Sequence, residues 1–227
     1  MKFIYSLELL FISISAIGCS SKERGDSYNK IESEKASELV NETKQTLVID
    51  VRDAESYEKG HLANAVNIPF DELEGKISDL EGYKDQTVAF VCNTGNKSGK
   101  ATQMFVDKGF TKVYNVEGGM EGYDYDTATY TNVTGSEFEK LVKENKDAAV
   151  LDLRDAKDFK KSSLENAVNI SIDEFETKSA EQLKDKKQEI LLYCNTGTKA
   201  SKMLEEKGYT NVVNSVDGVK EYEFNLK

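Results

Sequence analysis

Short apolar runs alternate with helical patterns along the first half of the chain. Runs of four or five residues rich in valine and isoleucine are typical of buried parallel strands. Such runs lie at 47–51, 88–92 and 113–116. Apolar residues at helical spacing lie at 37–43, 71–77 and 97–108, and the last pattern stops at Gly109, a suitable helix C-terminus. The alternation predicts an α/β domain with a mostly parallel sheet flanked by helices.

The pattern of the first half is repeated in the second half of the chain. Three segments recur at one common offset of 102 residues: 50–54 as 152–156, 64–68 as 166–170 and 92–95 as 194–197. After the cysteine loop the offset falls to 99, as the match of Gly109 with Gly208 shows. An offset held over three segments indicates a tandem repeat. We predict two copies of one domain, the first copy at residues 28–125 and the second copy at residues 126–227, packed against each other.

The first 18 residues differ from the rest of the chain. Lys2 precedes a mostly apolar run at 3–17, which is too short to span a bilayer and is typical of a secretory signal. Ala16-Ile17-Gly18-Cys19 resembles the lipobox of bacterial lipoproteins, and that resemblance implies that Cys19 is lipidated. The polar residues 19–27 predict a flexible tether. We expect an exported lipoprotein held at a bacterial membrane, in the periplasm or on the cell surface. An ordinary cleaved signal and an uncleaved anchor stay open as alternatives.

The charge balance of the chain narrows the choice of partners. The 41 acidic residues outnumber the 30 basic ones among 227, which gives a formal net charge of -11 at pH 7. Nucleic-acid binding depends on Lys and Arg that neutralise phosphates, so a nucleic-acid partner is not expected. Charge would not draw the chain to anionic lipid either, so any membrane contact is assigned to the N-terminal lipid.

Each copy carries one cysteine at the carboxyl end of a predicted buried strand. Cys92 is followed by a glycine-containing loop and a predicted helix, and Cys194 has the same place in the second copy. Ligands bind at the carboxyl ends of parallel strands, and N–H groups at a helix N-terminus favour an anion. Such surroundings lower the pKa of a thiol towards the reactive thiolate. The sequence therefore predicts an activated cysteine that faces an anion site.

The segment from Cys92 to Ser98 resembles the active-site loop of the rhodanese family, with glycine three residues after the cysteine and a basic residue five after it. Three further segments also resemble the family, so that the resemblance spans nearly all of the first copy. They are Asp50-Val51-Arg52, Gly60-His61-Leu62 and Glu117-Gly118-Gly119. The second copy keeps the strand and the loop. It has Ser162-Ser163 where the first has Gly60-His61, and Asp217-Gly218 where the first has Gly118-Gly119.

The resemblance implies a sulfurtransferase with Cys92 and Cys194 as nucleophiles. A small anionic donor such as thiosulfate would leave a persulfide on the cysteine, and a thiol or cyanide-like acceptor would remove the sulfur. The resemblance implies no metal and no organic cofactor. The loop residues are expected to bind the substrate through backbone N–H groups, with the two lysines adding positive charge. These residues are Asn93, Thr94, Gly95, Asn96, Lys97, Asn195, Thr196, Gly197, Thr198 and Lys199.

Other interpretations of the same residues stay open. The chain could be a non-catalytic persulfide carrier or a binding module. The loop is also similar to that of the dual-specificity phosphatases, which share this fold. That function is disfavoured, because the phosphatase loop is one residue longer and ends in arginine. The cysteines could be inert core residues or a disulfide pair, although the chain has no CxxC motif. His61 is expected to have a structural role. The pairs Asp50–Arg52 and Asp152–Arg154 are either local ion pairs or groups that shape the site.

Overall fold

The computed structural model describes residues 28–41, 46–195 and 200–227. The predicted signal segment, the tether and the lipidation residue Cys19 lie outside these ranges, as do Thr196, Gly197, Thr198 and Lys199. Across the described ranges, no helix combines the length and the apolar character needed to cross a membrane.

The first copy is a five-stranded parallel sheet with helices on both faces. Its sheet order is β1-β6-β5-β2-β4, and every neighbouring pair is parallel. The elements are β1 (Asn29–Ile31), α1 (Ser33–Asn41), β2 (Thr46–Asp50), α2 (Ala54–Glu58), β3 (His61–Leu62), β4 (Ala65–Asn67), α3 (Phe70–Lys76), a 3-10 helix (Ile77–Tyr83), β5 (Thr87–Val91), α4 (Asn96–Asp107), β6 (Lys112–Val116) and a 3-10 helix (Gly119–Gly122).

The second copy repeats this arrangement. Its sheet order is β8-β12-β11-β9-β10, again parallel throughout. The elements are β7 (Thr127–Ala128), β8 (Thr131–Val133), α5 (Gly135–Glu144), β9 (Ala149–Asp152), α6 (Ala156–Phe159), β10 (Val168–Asn169), α7 (Ile172–Gln182), β11 (Ile190–Tyr193), α8 (Ala200–Glu206) and β12 (Val212–Ser215). The predicted α/β class with two mostly parallel sheets is confirmed, and each strand predicted in the first copy lies within one residue of an observed one.

The backbone repeats in detail as well as in topology. Asn64 and Asn166, which are 102 residues apart, both adopt a left-handed conformation with φ of 59° and 62°. Asparagine tolerates this region better than most residues. Gly109 and Gly208, which are 99 residues apart, follow α4 and α8 with φ of 90° and 83°. The two sequence offsets therefore correspond to equivalent points in space.

Apolar side chains pack on both faces of each sheet, as expected for parallel strands buried on two sides. In the first copy, α3 and α4 cover one face around Phe90 and Phe105, whose ring centroids lie 4.7 Å apart, and α1 covers the other. In the second copy, α7 and α8 cover one face and α5 covers the other.

The acidic and basic residues at the ends of β2 and β9 form buried local ion pairs. Arg52 binds both carboxylate oxygens of Asp50, with 2.6 Å from Nη2 to Oδ2, and also donates to the Gly60 carbonyl at 2.8 Å. Arg154 repeats these contacts with Asp152 and the Ser162 carbonyl. Each pair joins a strand end to the segment that begins β3 or its equivalent. The geometry supports the local ion-pair interpretation.

The two copies contact each other along β4 and β8. The Tyr57 hydroxyl donates to the Ala65 carbonyl at 2.7 Å and accepts from the Asn132 N–H at 3.2 Å, so it bridges the two facing sheet edges. His61 is buried and stacks on Tyr57 with ring centroids 3.6 Å apart. Burial lowers the pKa of His61, and its Nδ1 donates to the Tyr57 carbonyl at 3.0 Å. His61 thus has a structural role at this contact.

The segment that links the two copies contacts both of them. Strand β7 pairs antiparallel with β3 of the first copy, and Ala128 lies opposite His61. Ala128 and Tyr130 also pack in the core of the second copy. The copies are packed together as expected, whereas the boundary at residues 125 and 126 stays a prediction.

Candidate active site

Cys92 directly follows β5 in the centre of the first sheet, and α4 begins four residues later. The intervening turn passes through Gly95, whose φ of +88° lies in the left-handed region that glycine enters at low cost. The Cys92 side chain is enclosed, with 4% of the residue exposed. The cysteine therefore lies where the carboxyl edge of the sheet meets a helix N-terminus.

Several donors converge on the Cys92 sulfur. Ser98 approaches Sγ with its backbone N at 3.4 Å and its hydroxyl Oγ at 3.3 Å. The N–H groups of Thr94 and Gly95 also act on the thiol. Burial alone would raise the pKa of Cys92, but the donors from Ser98, Thr94 and Gly95 outweigh burial and lower it. The site favours the thiolate, which is the nucleophilic form.

A second turn, formed by Gly118 and Gly119 after β6, supports the cysteine loop from behind. The Met120 N–H donates to the Cys92 carbonyl at 2.8 Å, and the Glu121 N–H donates to the Asn93 carbonyl at 2.9 Å. Both glycines have positive φ, 77° and 57°. A Cβ on Gly119 would lie 2.6 Å from the carbonyl carbon of Asn93. This close backbone approach requires glycine and fixes the position of the loop.

The remaining predicted residues of the first loop lie around this centre. Asn93, Thr94, Asn96 and Lys97 are exposed, and Gly95 is half-buried. Asn96 donates from its amide to the Thr94 hydroxyl at 3.1 Å, and Lys97 lies in the first turn of α4. A polar cavity of about 250 Å³ adjoins the outside of the loop. Its lining residues are Tyr28, Lys30, Thr94, Gly95, Asn96, Asn115 and Glu117.

Two contributors to the site were not among the predicted site residues. Ser98 supplies both a hydroxyl and an N–H to Sγ, and Asn115 donates from its side-chain amide to the Gly95 carbonyl at 3.1 Å. The signal for Ser98 was its place at the start of a helix just after the loop, where a hydroxyl can turn inward. The role of Asn115 depends on the pairing of β5 with β6, which a single sequence does not give.

The second copy keeps part of this arrangement. Cys194 follows β11 and is half-buried, and the Val219 N–H donates to its carbonyl at 2.9 Å, as Met120 does for Cys92. Asn195 is half-buried beside it, while the predicted site residues 196–199 lie outside the described residues. Ala200 stands where the first copy has Ser98, so the second site lacks that hydroxyl. The two thiols are not joined in a disulfide.

The Ser98→Ala variant should shift the reactivity of Cys92 to higher pH. Loss of the hydroxyl donor raises the pKa of Cys92, because the remaining N–H donors oppose burial less strongly. We expect iodoacetamide alkylation of Cys92 at pH 7 to slow by roughly three- to tenfold, and to converge with the unsubstituted protein at high pH. The measurement is the alkylation rate of each cysteine against pH, by peptide mass spectrometry.

The matched control is Ala200→Ser in the second copy, which adds the missing hydroxyl beside Cys194 and should leave the Cys92 profile unchanged. An unaltered Cys92 profile in Ser98→Ala would show that the hydroxyl does not act on the thiolate.

Comparison with known proteins identifies the family of the chain. The model of the rhodanese-like domain matches the chain twice, over residues 32–126 and 134–224. These matches cover most of the chain, and the chain belongs to the rhodanese family. The prediction of two tandem rhodanese-like domains is confirmed, and the family includes sulfurtransferases.

The following three relatives each match one copy or part of one. A tRNA uridine(34) hydroxylase of Buchnera aphidicola is 36% identical over 100 residues, which are 42% of this chain and 31% of that protein. Thiosulfate sulfurtransferase PspE of Escherichia coli is 39% identical over 70 residues, 31% of this chain and 67% of that protein. A rhodanese-related protein of Thermoplasma volcanium, with a solved crystal structure, is 34% identical over 45% of this chain and 99% of its own, with a TM-score of 0.37. The chain spans about a third of the length of the hydroxylase.

Proposed function

We propose that this protein transfers a sulfane sulfur from a thiosulfate-like donor to a thiophilic acceptor through a persulfide on Cys92. The observation that carries the proposal is the Cys92 sulfur with its converging Ser98, Thr94 and Gly95 donors and its lowered pKa. The similarity to a thiosulfate sulfurtransferase supports it. Cys194 is proposed as a second, weaker site, because Ala200 offers no hydroxyl there.

The proposed reaction has two half-reactions and needs no further redox partner. The Cys92 thiolate attacks the outer sulfur of thiosulfate, a new sulfur–sulfur bond forms, and sulfite leaves with the electron pair of the broken bond. A thiolate or cyanide then attacks the outer sulfur of the persulfide, and Cys92 leaves as a thiolate. The donors that stabilise the thiolate serve both steps, since Cys92 is first the nucleophile and then the leaving group.

Lys97 is proposed to attract the anionic donor to the loop. It is exposed in the first turn of α4, where its charge adds to the positive end of the helix dipole. A lysine acts as a point charge and lacks the planar fork of arginine, so it attracts an anion without bidentate recognition. This favours a small anion with little shape selectivity.

The test of the proposal is the intact mass of the full chain after exposure to thiosulfate and removal of excess reagent. A persulfide adds the mass of one sulfur, about 32 Da, and both cyanide and dithiothreitol should remove it. The gain should map mainly to Cys92. Sulfur uptake from other donors without turnover on thiosulfate and cyanide would favour a persulfide carrier. No uptake from any donor, with both thiols still open to alkylation, would leave a binding module.

We also propose that Cys19 carries a lipid that holds the protein at a bacterial membrane. The support is the lipobox-like Ala16-Ile17-Gly18-Cys19 after an apolar run. An acylated cysteine would contribute about 0.8 kcal/mol for each buried CH₂ group. We expect the protein made in bacteria to partition into detergent on phase separation, and Cys19→Ser to abolish this. Equal partitioning of both would contradict lipidation at Cys19.

A further inference from the structure

The turn that supports Cys194 differs from its counterpart in the first copy. In the first copy Glu117-Gly118-Gly119 follows β6, Glu117 is exposed and both glycines have positive φ. In the second copy Val216-Asp217-Gly218 follows β12. Asp217 is 7% exposed, in place of a glycine, and it has no positive φ. A buried carboxylate at this position needs hydrogen-bond partners, which the glycine at the equivalent position of the first copy does not.

The partners of Asp217 come partly from the other copy. Its Oδ2 accepts from the Tyr83 hydroxyl of the first copy at 2.5 Å and from the Gly135 N–H at the start of α5 at 2.6 Å. Burial and the nearby Asp217 carboxylate raise the pKa of Tyr83, so the phenol keeps its proton and donates. Val216, beside Asp217, packs against the core of the first copy together with Tyr83.

The same turn reaches the second cysteine. Two residues after Asp217, the Val219 N–H donates to the Cys194 carbonyl at 2.9 Å. The turn is also closed on itself, since the Ser215 hydroxyl donates to the Asp217 carbonyl at 2.7 Å and the Gly218 N–H donates to Glu221 Oε2 at 2.9 Å. Two hydrogen bonds, joined by the short backbone segment from Asp217 to Val219, therefore link Tyr83 to Cys194.

We propose that Tyr83 of the first copy is a positioning residue for the Cys194 site, acting through the carboxylate of Asp217. The first copy holds its own cysteine with a Gly-Gly turn and needs no such contact. The Cys194 site therefore depends on the first copy, whereas the Cys92 site does not depend on the second. Cys194 is then competent when the copies are docked, whereas Cys92 is competent regardless. For sulfur uptake at Cys194 the inference rests on the proposed function.

The test compares Tyr83→Phe, Asp217→Ala, the double variant and Asp217→Asn in the full chain. Each is scored by iodoacetamide alkylation and by persulfide formation from thiosulfate at Cys194 and Cys92 separately. We expect Tyr83→Phe and Asp217→Ala each to lower the alkylation and persulfide-formation rates of Cys194 by roughly fivefold, within the range of coupling between sites. The double variant should show no more than either single change. Asp217→Asn, whose amide oxygen can still accept both hydrogen bonds, should keep the Cys194 rates of the unsubstituted protein.

Cys92 is the internal reference, and its rates should stay within about twofold in all four proteins. The inference is overturned if Cys194 is unaffected in Tyr83→Phe and Asp217→Ala, if Cys92 changes equally, or if Asp217→Asn behaves like Asp217→Ala. Alkylation needs no sulfur donor, so it tests the positioning role of Tyr83 independently of the proposed sulfur transfer. If neither thiol gained sulfur in the unsubstituted protein, the proposed function would fail, while the alkylation rates would still decide the role of Tyr83.

Discussion

The Cys92→Ser variant is expected to lose most of the sulfur transfer from thiosulfate to cyanide. Serine is close in shape to cysteine and can accept the same hydrogen bonds, but its hydroxyl has no accessible anion at neutral pH and cannot form a persulfide. For the first site we expect a loss of roughly 10³-fold or more, as for removal of a covalent nucleophile. The measurement is the initial rate of thiocyanate formation, together with the intact mass after thiosulfate.

The repeat supplies the matched control, because Cys194→Ser removes the equivalent thiol from the second copy. We expect Cys194→Ser to keep most of the activity, and the double variant to lose all of it above the rate without protein. The order follows from the Ser98 hydroxyl on Cys92, which Ala200 does not reproduce. Greater loss in Cys194→Ser than in Cys92→Ser would reverse the ranking of the sites. Equal activity in the double variant and the unsubstituted protein would end the persulfide mechanism.

The fold and the centre of the site are predictable from the sequence for physical reasons. Buried parallel strands and amphipathic helices leave patterns within one segment, and a repeat doubles each pattern. The cysteine, its loop and the helix start are also contiguous, so Cys92 and Gly95 can be singled out from one short motif. Ser98 lies within the same motif, but a sequence does not say which way a side chain at a helix start points.

Contacts between distant segments are what the sequence does not supply. The supporting turn at Gly119 meets Asn93 only after β5 and β6 are paired, and Tyr83 meets Asp217 only after the copies dock. The sequence shows that the second copy has Asp-Gly where the first has Gly-Gly. Because the sequence does not show the contact with Tyr83, the difference looks like loss of a functional motif. In the structure, the buried aspartate is a contact between the copies.

Gly119→Ala is expected to have the largest structural effect of any single added methyl group in the site. The new Cβ would overlap the Cys92 carbonyl oxygen and lie 2.6 Å from the carbonyl carbon of Asn93, and these backbone atoms cannot rotate away as a side chain could. A non-glycine residue at a φ of +57° costs about 1–2 kcal/mol. Loss of the two supporting hydrogen bonds from Met120 and Glu121 adds about 1 kcal/mol each. We expect roughly 3 kcal/mol less stability in denaturant unfolding.

Two other glycines separate the causes of this effect. Gly118→Ala meets the same kind of φ restriction, at +77°, but its nearest new contact is an ordinary 3.6 Å from Gly122, so it should cost about 1 kcal/mol. Gly75→Ala lies in α3 with open space around it, and it should be neutral or stabilise by up to about 1 kcal/mol.

Activity should follow the position of the loop rather than stability alone. A displaced Cys92 carbonyl moves the thiol relative to the donors at Ser98, and misplacement of reacting groups by about 1 Å can cost roughly 100-fold in rate. We therefore expect folded Gly119→Ala, assayed below its unfolding transition, to lose thiosulfate turnover about that strongly, while Gly118→Ala loses far less. Full turnover in folded Gly119→Ala would mean that the loop does not need the close approach of this glycine, and that the donors alone hold the Cys92 sulfur in its reactive position.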